Sequence, residues 1–234
     1  MTERLYQQDM TLRQFSAEVL DVWGNQVLLD RTAFFPRGGG VECDVGFLAT
    51  PAGKFAVEET IEEDGQILHI VTEEGIEPGM PVEGALHWAR RHLLMRYHTA
   101  THVLTGVMFQ DFGARVTGNQ LTPDKGRVDF NFPEFDRALL EKGFQRSNTI
   151  IAQDRAVKVS TVPASEARAR PELFKLESEF PHELERIRLV EIEGFDVQAD
   201  GGCHVARLSE IGTLIPGKAE NKGKSNRRVY FTVE

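Results

Sequence analysis

His98 and His102 stand four residues apart in the run Tyr97-His98-Thr99-Ala100-Thr101-His102-Val103-Leu104, and far downstream comes a second cluster, Asp200-Gly201-Gly202-Cys203-His204. An i, i+4 histidine pair on a helix sets two imidazoles one turn apart on one face, as capture of a zinc ion by a rigid element requires. Taken alone, such a pair is equally well read as two histidines with satisfied hydrogen bonds, and the second cluster changes that balance. Asp200 and His204 can face the same side of a looped segment, while Gly201 and Gly202 let the backbone turn close to an ion. Two ligands from a helix and one or two from a distant loop make the usual zinc arrangement. The fourth ligand stays open: Cys203 has the softer side chain but points away from His204 in an extended strand, whereas Asp200 has the better spacing. Three protein ligands and a water would also suit a catalytic metal. A zinc peptidase motif, HExxH, needs glutamate directly after the first histidine; that position is Thr99, and the peptidase reading fails.

These residues need a helix and a loop held together by a folded domain. Leu93, Tyr97, Ala100, Leu104 and Val107 recur at intervals of three and four, which predicts a helix over Trp88–Phe112 with Gly113 as its stop. The histidines lie beside that stripe. Ahead of it, closely spaced segments such as 15–20, 26–30, 55–57 and 66–71 read as short strands between turns, the pattern of a small β-barrel. The pattern changes around Pro78-Gly79, so residues 1–86 form one domain and 87–234 a second. In the second, 127–132, 157–162, 186–192 and 228–233 read as strands. A helix opens at Pro133-Glu134-Phe135-Asp136 and runs through Ile151, and a short one starts at Pro163. The economical fold class is α+β, with an antiparallel sheet in the second domain.

The chain has 234 residues, 41% hydrophobic and 27% charged, an ordinary globular composition with length enough for a buried core. No apolar run approaches the roughly 20 residues of a membrane span, and the N-terminus does not resemble a signal peptide, which points to the cytoplasm. Only two cysteines occur, Cys43 and Cys203, far apart and each in a glycine-rich segment, which argues against a disulfide framework. The net charge of −9 is uneven: residues 1–87 carry 16 acidic and 5 basic side chains, residues 88–234 carry 20 and 22. The second part can approach a polyanion more easily. Lys218, Lys222, Lys224, Arg227 and Arg228 lie close together with one acid, Glu220, and could contact phosphates, although such segments are commonly just solvated.

With these residues in view, the chain resembles the AlaX family, free-standing relatives of the editing domain of alanyl-tRNA synthetase, over nearly its whole length. The resemblance rests on residues 90–102, Arg90-Arg91 through His102, which look like the family's arginine-rich lead into HxAxH. It also rests on Gly201-Gly202-Cys203-His204-Val205 followed by Glu210-Ile211-Gly212. Ala33-Phe34-Phe35-Pro36-Arg37-Gly38-Gly39-Gly40 resembles the F-Y-P-x-G-G-G motif of the medium-length branch. The family's second metal motif is usually C-x-x-x-H, often C-G-G-T-H. Here Asp200 takes the cysteine position and Cys203 the threonine position, so His98, His102 and His204 carry over as ligands and Asp200 is the candidate fourth.

The resemblance implies one zinc per chain and hydrolysis of the ester joining a wrong amino acid, chiefly serine and also glycine, to alanine tRNA. In that reading the catalytic species is a zinc-bound water, with no general base assigned. The metal would hold or polarise the water, orient the ester and stabilise charge on its oxygen. Choosing serine over alanine needs polar groups that alanine would leave unsatisfied, and such a site can discriminate by about 10⁴ or more. Val116-Thr117-Gly118-Asn119-Gln120 matches the family's substrate-recognition segment, with Thr117, Gly118 and Gln120 as candidates; taken alone they read as turn residues. Gly38, Gly39 and Gly40 are a plain turn or, in this family's context, bare backbone set against the tRNA acceptor end or the editing domain. They lack the G-x-x-x-x-G-K pattern, so no ATP site is expected. A competing hypothesis is a tRNA-binding module with a structural or degenerate metal site.

Overall fold

The computed structural model describes residues 2–51, 53–131, 137–174, 184–223 and 226–234. It divides into two compact units, Met1–Leu94 and Met95–Glu234, with the division inside a long helix. Among the described residues no helix is long and apolar enough to cross a membrane.

The first unit is built on a closed barrel of six strands: β1 (Gln14–Trp23), β2 (Gln26–Leu29), β3 (Gly46–Thr50), β4 (Gly53–Glu63), β5 (Gln66–Val71) and β6 (Pro81–Leu86). Around the barrel the order is β1-β2-β5-β4-β3-β6, every neighbour antiparallel. Alternate residues point inwards, and Phe15, Val19, Val27, Leu29, Leu48, Phe55, Val57, Val71 and Val82 form one core. Closure removes the open sheet edge that such short strands would otherwise expose. The buried His69 is held neutral in this unit. Its Nδ1 donates to the Val27 carbonyl at 3.1 Å and its Nε2 accepts from the Thr32 hydroxyl at 2.8 Å.

The glycine triplet forms a tight turn in which the Gly38 and Val41 backbones exchange hydrogen bonds across Gly39 and Gly40. Both central residues have positive φ, +59° and +80°, the left-handed conformation that glycine adopts without steric cost. The segment around this turn is clamped by Arg91. Its guanidinium is buried against the Asp44 carboxylate and donates to the Ala33 and Met10 carbonyls, while Asp44 accepts from the Phe35 N–H at 2.7 Å. Arg90 donates to the Cys43 carbonyl and pairs with Glu42 at 2.7 Å. The two arginines leading into the histidine pair are therefore fully engaged in holding the barrel unit's glycine segment.

The helix α1 (Trp88–Phe112) has the bounds expected from its periodicity. In the second unit it meets two antiparallel sheets. One has the order β12 (Leu214–Asn221), β13 (Arg227–Val233), β8 (Gly126–Phe130), β7 (Val116–Leu121); the other has the order β9 (Val157–Pro163), β10 (Arg186–Ile192), β11 (Asp196–Ala199). Helix α2 (Arg137–Ile151) and the short α3 (Ala164–Arg168) complete the α+β arrangement expected. The expected helix start at 133–136 and the strand residue Phe132 lie outside the described residues.

A single apolar stripe underestimates the burial of α1. Residues 97–108 are buried on every side, while Leu93 is only half-buried. Three threonines make this possible, because each satisfies its hydroxyl within the helix. Thr99 reaches the Met95 carbonyl at 3.0 Å, Thr101 that of Tyr97 at 2.8 Å, and Thr105 that of His102 at 3.2 Å. Tyr97 packs on Phe231 of β13, and Gln198 of β11 donates to the His102 carbonyl, so the helix touches both sheets.

Candidate metal centre

Two turns of α1 and one loop build the centre. His98 and His102 leave the same face of the helix, with ring centroids 5.1 Å apart. His204 enters from the loop after β11, its ring 4.2 Å from that of His98 and 4.6 Å from that of His102. Asp200 closes the group. Its Oδ2 lies 3.3 Å from His98 Nε2 and 3.6 Å from His102 Nε2, and its Oδ1 lies 3.1 Å from His204 Nε2. One donor atom from each of the four falls within 4.8 Å of all the others. A tetrahedral shell with bonds of about 2.0 to 2.1 Å sets its donors about 3.3 Å apart, so the set closes on a divalent ion by small movements.

The loop is fixed from beneath. Arg188 of β10 donates through Nη1 to the carbonyls of Asp200 and Gly202, each at 2.9 Å, and the Asp200 N–H returns to the Arg188 carbonyl. Asp200 Oδ1 also accepts from the Gly202 N–H at 2.6 Å, a local turn that aims the carboxylate at the rings. Gly202 lies so near His98 that a Cβ there would fall 2.6 Å from its Cε1. His98 donates from Nδ1 to the Cys203 carbonyl at 3.3 Å, which turns its Nε2 lone pair towards Asp200. Cys203 thus takes part through its backbone; among the described residues, the group that could hold a metal contains Asp200 and not the Cys203 thiol.

Electrostatics favour a cation. Burial pushes His102 and His204 below the ordinary imidazole pKa, with the neighbouring His98 adding to the effect on both. Burial opposes ionisation of Asp200, yet the three imidazoles facing it hold its carboxyl well below the usual range. Burial thus favours the neutral form of His102 and His204 while Asp200 stays a carboxylate, the states in which these groups can bind a metal. The histidine side chains are all but sealed, and Asp200, 20% exposed, is the member that meets solvent.

The other residues singled out in the sequence fall elsewhere. Thr117, Gly118 and Gln120 lie on β7, an edge strand rather than a turn. Thr117 is exposed and donates to the Asn226 side chain at 3.1 Å, Gly118 stands opposite Asp129, and the exposed Gln120 stands opposite Arg127. Gly38, Gly39 and Gly40 belong to the barrel unit. Of the basic segment, Lys218 and Lys222 both pair with Glu220, and Arg228 grips Asp129 through two bonds of 2.8 Å. Arg227 is buried. Its Nη1 is spent on Asn221, Gly223 and Asn226, so it does not face a polyanion outside. Lys224 lies outside the described residues. Arg188 precedes the 200–204 cluster and belongs to no motif, so no local pattern in the sequence marks it as a support of the centre.

The family of class II (A) tRNA synthetases matches residues 6–90, and the second additional domain of threonyl and alanyl tRNA synthetases matches residues 187–230, which include Asp200 and His204. The chain is 40% identical to the alanyl-tRNA editing protein AlaX-M of Saccharolobus solfataricus, over the whole of both chains. It is 40% identical to AlaX-M of Methanosarcina mazei, covering all of this chain and 97% of that one. The alanine–tRNA ligase of Ignicoccus hospitalis is 35% identical over 91% of this chain and 24% of its own length.

Proposed function

The chain belongs to the AlaX-M family of alanyl-tRNA editing proteins, and from that premise we propose that it is a zinc-dependent deacylase that hydrolyses serine, and secondarily glycine, from alanine tRNA. The observation that carries the reading is the convergence of three imidazole nitrogens and one carboxylate within 4.8 Å. His98, His102, His204 and Asp200 would hold the ion. When bound, it supplies Lewis acidity towards the ester carbonyl and the attacking water.

The remaining work falls to the chain's own groups. Arg188 and Gly202 keep the Asp200 loop against the helix, so the donors are preorganised before substrate arrives. The near-complete burial of the three rings excludes bulk water from their side, and the approach of an ester is left to the Asp200 side. Thr117, Gly118 and Gln120 on the edge strand β7 are assigned to recognition of the substrate, with unsatisfied polar groups as the means of rejecting alanine. The barrel domain, residues 1–86 with its glycine turn, is assigned to the tRNA acceptor end, and residues 87–234 to editing. Lys218, Lys222 and Arg228 contribute charge towards phosphate.

The test is hydrolysis of alanine tRNA charged with serine, glycine or alanine. Serine ester should be lost fastest, chelation should stop the reaction, added zinc should restore it, and His98→Ala should abolish it. If metal-loaded protein left all three esters at the buffer rate, the enzyme reading would give way to that of a tRNA-binding module.

A further inference from the structure

We propose that Thr99 is a positioning residue, whose hydroxyl selects the tautomer of His204 that turns a lone pair at Nε2 towards the cation; the proposal rests on the metal reading above. A neutral imidazole carries one N–H, so Nε2 can act as a ligand only when Nδ1 holds the proton. His204 Nδ1 lies 3.2 Å from Thr99 Oγ1. The same oxygen lies 3.0 Å from the Met95 carbonyl and 3.2 Å from the Val205 N–H.

A hydroxyl offers one proton and two lone pairs, and its neighbours settle how these are used. The Val205 N–H can only donate, and the Met95 carbonyl can only accept. Given to the Met95 carbonyl, the nearer acceptor at 3.0 Å, the hydroxyl proton leaves one lone pair for the Val205 N–H and the other facing His204 Nδ1 as an acceptor. That circuit places the ring proton on Nδ1. An opposing influence is present, because Asp200 Oδ1 lies 3.1 Å from Nε2 and would accept a proton held there. Thr99 counters the tautomer that would block coordination. His98 receives the same service from the Cys203 carbonyl, so two of the three rings are oriented by fixed backbone or buried hydroxyl groups. The residue that stands where a zinc peptidase would carry its glutamate is thus a support for a ligand.

Zinc affinity, read by competition with a chromogenic chelator, tests this with four proteins. Thr99→Val should bind zinc 10- to 100-fold more weakly, the usual effect of losing a hydrogen-bond partner of a ligand. Thr99→Ser should stay close to wild type, as should Thr101→Val, whose hydroxyl serves only the Tyr97 carbonyl in the circuit described. In zinc-loaded, nitrogen-15-labelled protein, the His204 Nδ1 proton should be hydrogen-bonded and downfield in wild type and Thr99→Ser, and move upfield in Thr99→Val. A threonine needed only for packing would lower the melting temperature of Thr99→Val and leave affinity unchanged, which would overturn the proposal. Should Thr99→Val not fold, an upfield, rapidly exchanging His204 ring proton in zinc-loaded wild type would overturn it equally. Failure of wild type itself to take up zinc would refute the metal reading, an outcome distinct from any change confined to Thr99 variants.

Discussion

Replacing Gly202 with alanine should disable the metal centre while leaving the fold standing. A Cβ built at this position falls 2.6 Å from His98 Cε1, 2.8 Å from its Nδ1 and 3.2 Å from Asp200 Oδ1. Ordinary carbon contacts are about 3.5 to 4.0 Å, so relief requires roughly 1 Å of movement by the ring or the loop. Neither moves freely. The ring belongs to the stretch of α1, residues 97–108, that is buried on every side, and the loop is held by two Arg188 bonds and the Asp200 turn. Metal shells tolerate about 0.2 Å in their bond lengths, several times less than the movement demanded. We expect zinc binding to weaken at least 10- to 100-fold, about 1.4 to 2.7 kcal/mol, and deacylation to fall with it. The overpacking itself should cost about 1 to 3 kcal/mol of stability, leaving the circular dichroism spectrum native. Chelator competition and the melting temperature separate the two effects. Wild-type zinc affinity in Gly202→Ala would mean that His98 and the loop are not held as described, and the reasoning from close approach would be wrong.

Three further outcomes are expected. Asp200→Asn keeps the shape but removes the charge that faces three rings, so zinc affinity should drop by well over tenfold; equal affinity would exclude the carboxylate as a ligand. Arg91→Met leaves the Asp44 carboxylate buried without its cation, and urea unfolding should register a loss of about 3 to 5 kcal/mol; a neutral effect would show that the pair is not buried as described. Burial pushes His69 down to about 4, so between its unfolded pKa near 6.5 and 4 only the unfolded chain takes up the proton, and stability should rise with pH through that window. The contribution is complete above pH 6.5, lost by pH 4, and worth about 3 kcal/mol. His69→Gln should flatten the profile, and an unchanged slope would place the titration elsewhere.

The amino-acid sequence alone disclosed the features that depend on near neighbours. Periodicity located α1 from Trp88 to Phe112, and the i, i+4 spacing put His98 and His102 on one face, because helix geometry converts sequence distance directly into direction. Alternation and turn residues disclosed most of the strands, and the glycine-bordered His204 marked the loop. Where contacts join distant parts of the chain, local pattern was silent. The carboxylate of Asp200 is turned towards the three rings by a backbone turn at Gly202 and by an arginine from another strand. Arg227 looked like part of a basic surface until sheet pairing placed it inside, whereas Arg90 and Arg91 proved to be clamps on the glycine segment. Likewise Thr117 to Gln120, turn residues when taken alone and candidates for substrate recognition by resemblance, lie on an edge strand because β8 supplies their hydrogen bonds. Sequence states which groups are available and how neighbouring ones are aimed; packing alone determines which remote partner satisfies a buried charge or hydroxyl, since that cost is settled only when water has been excluded.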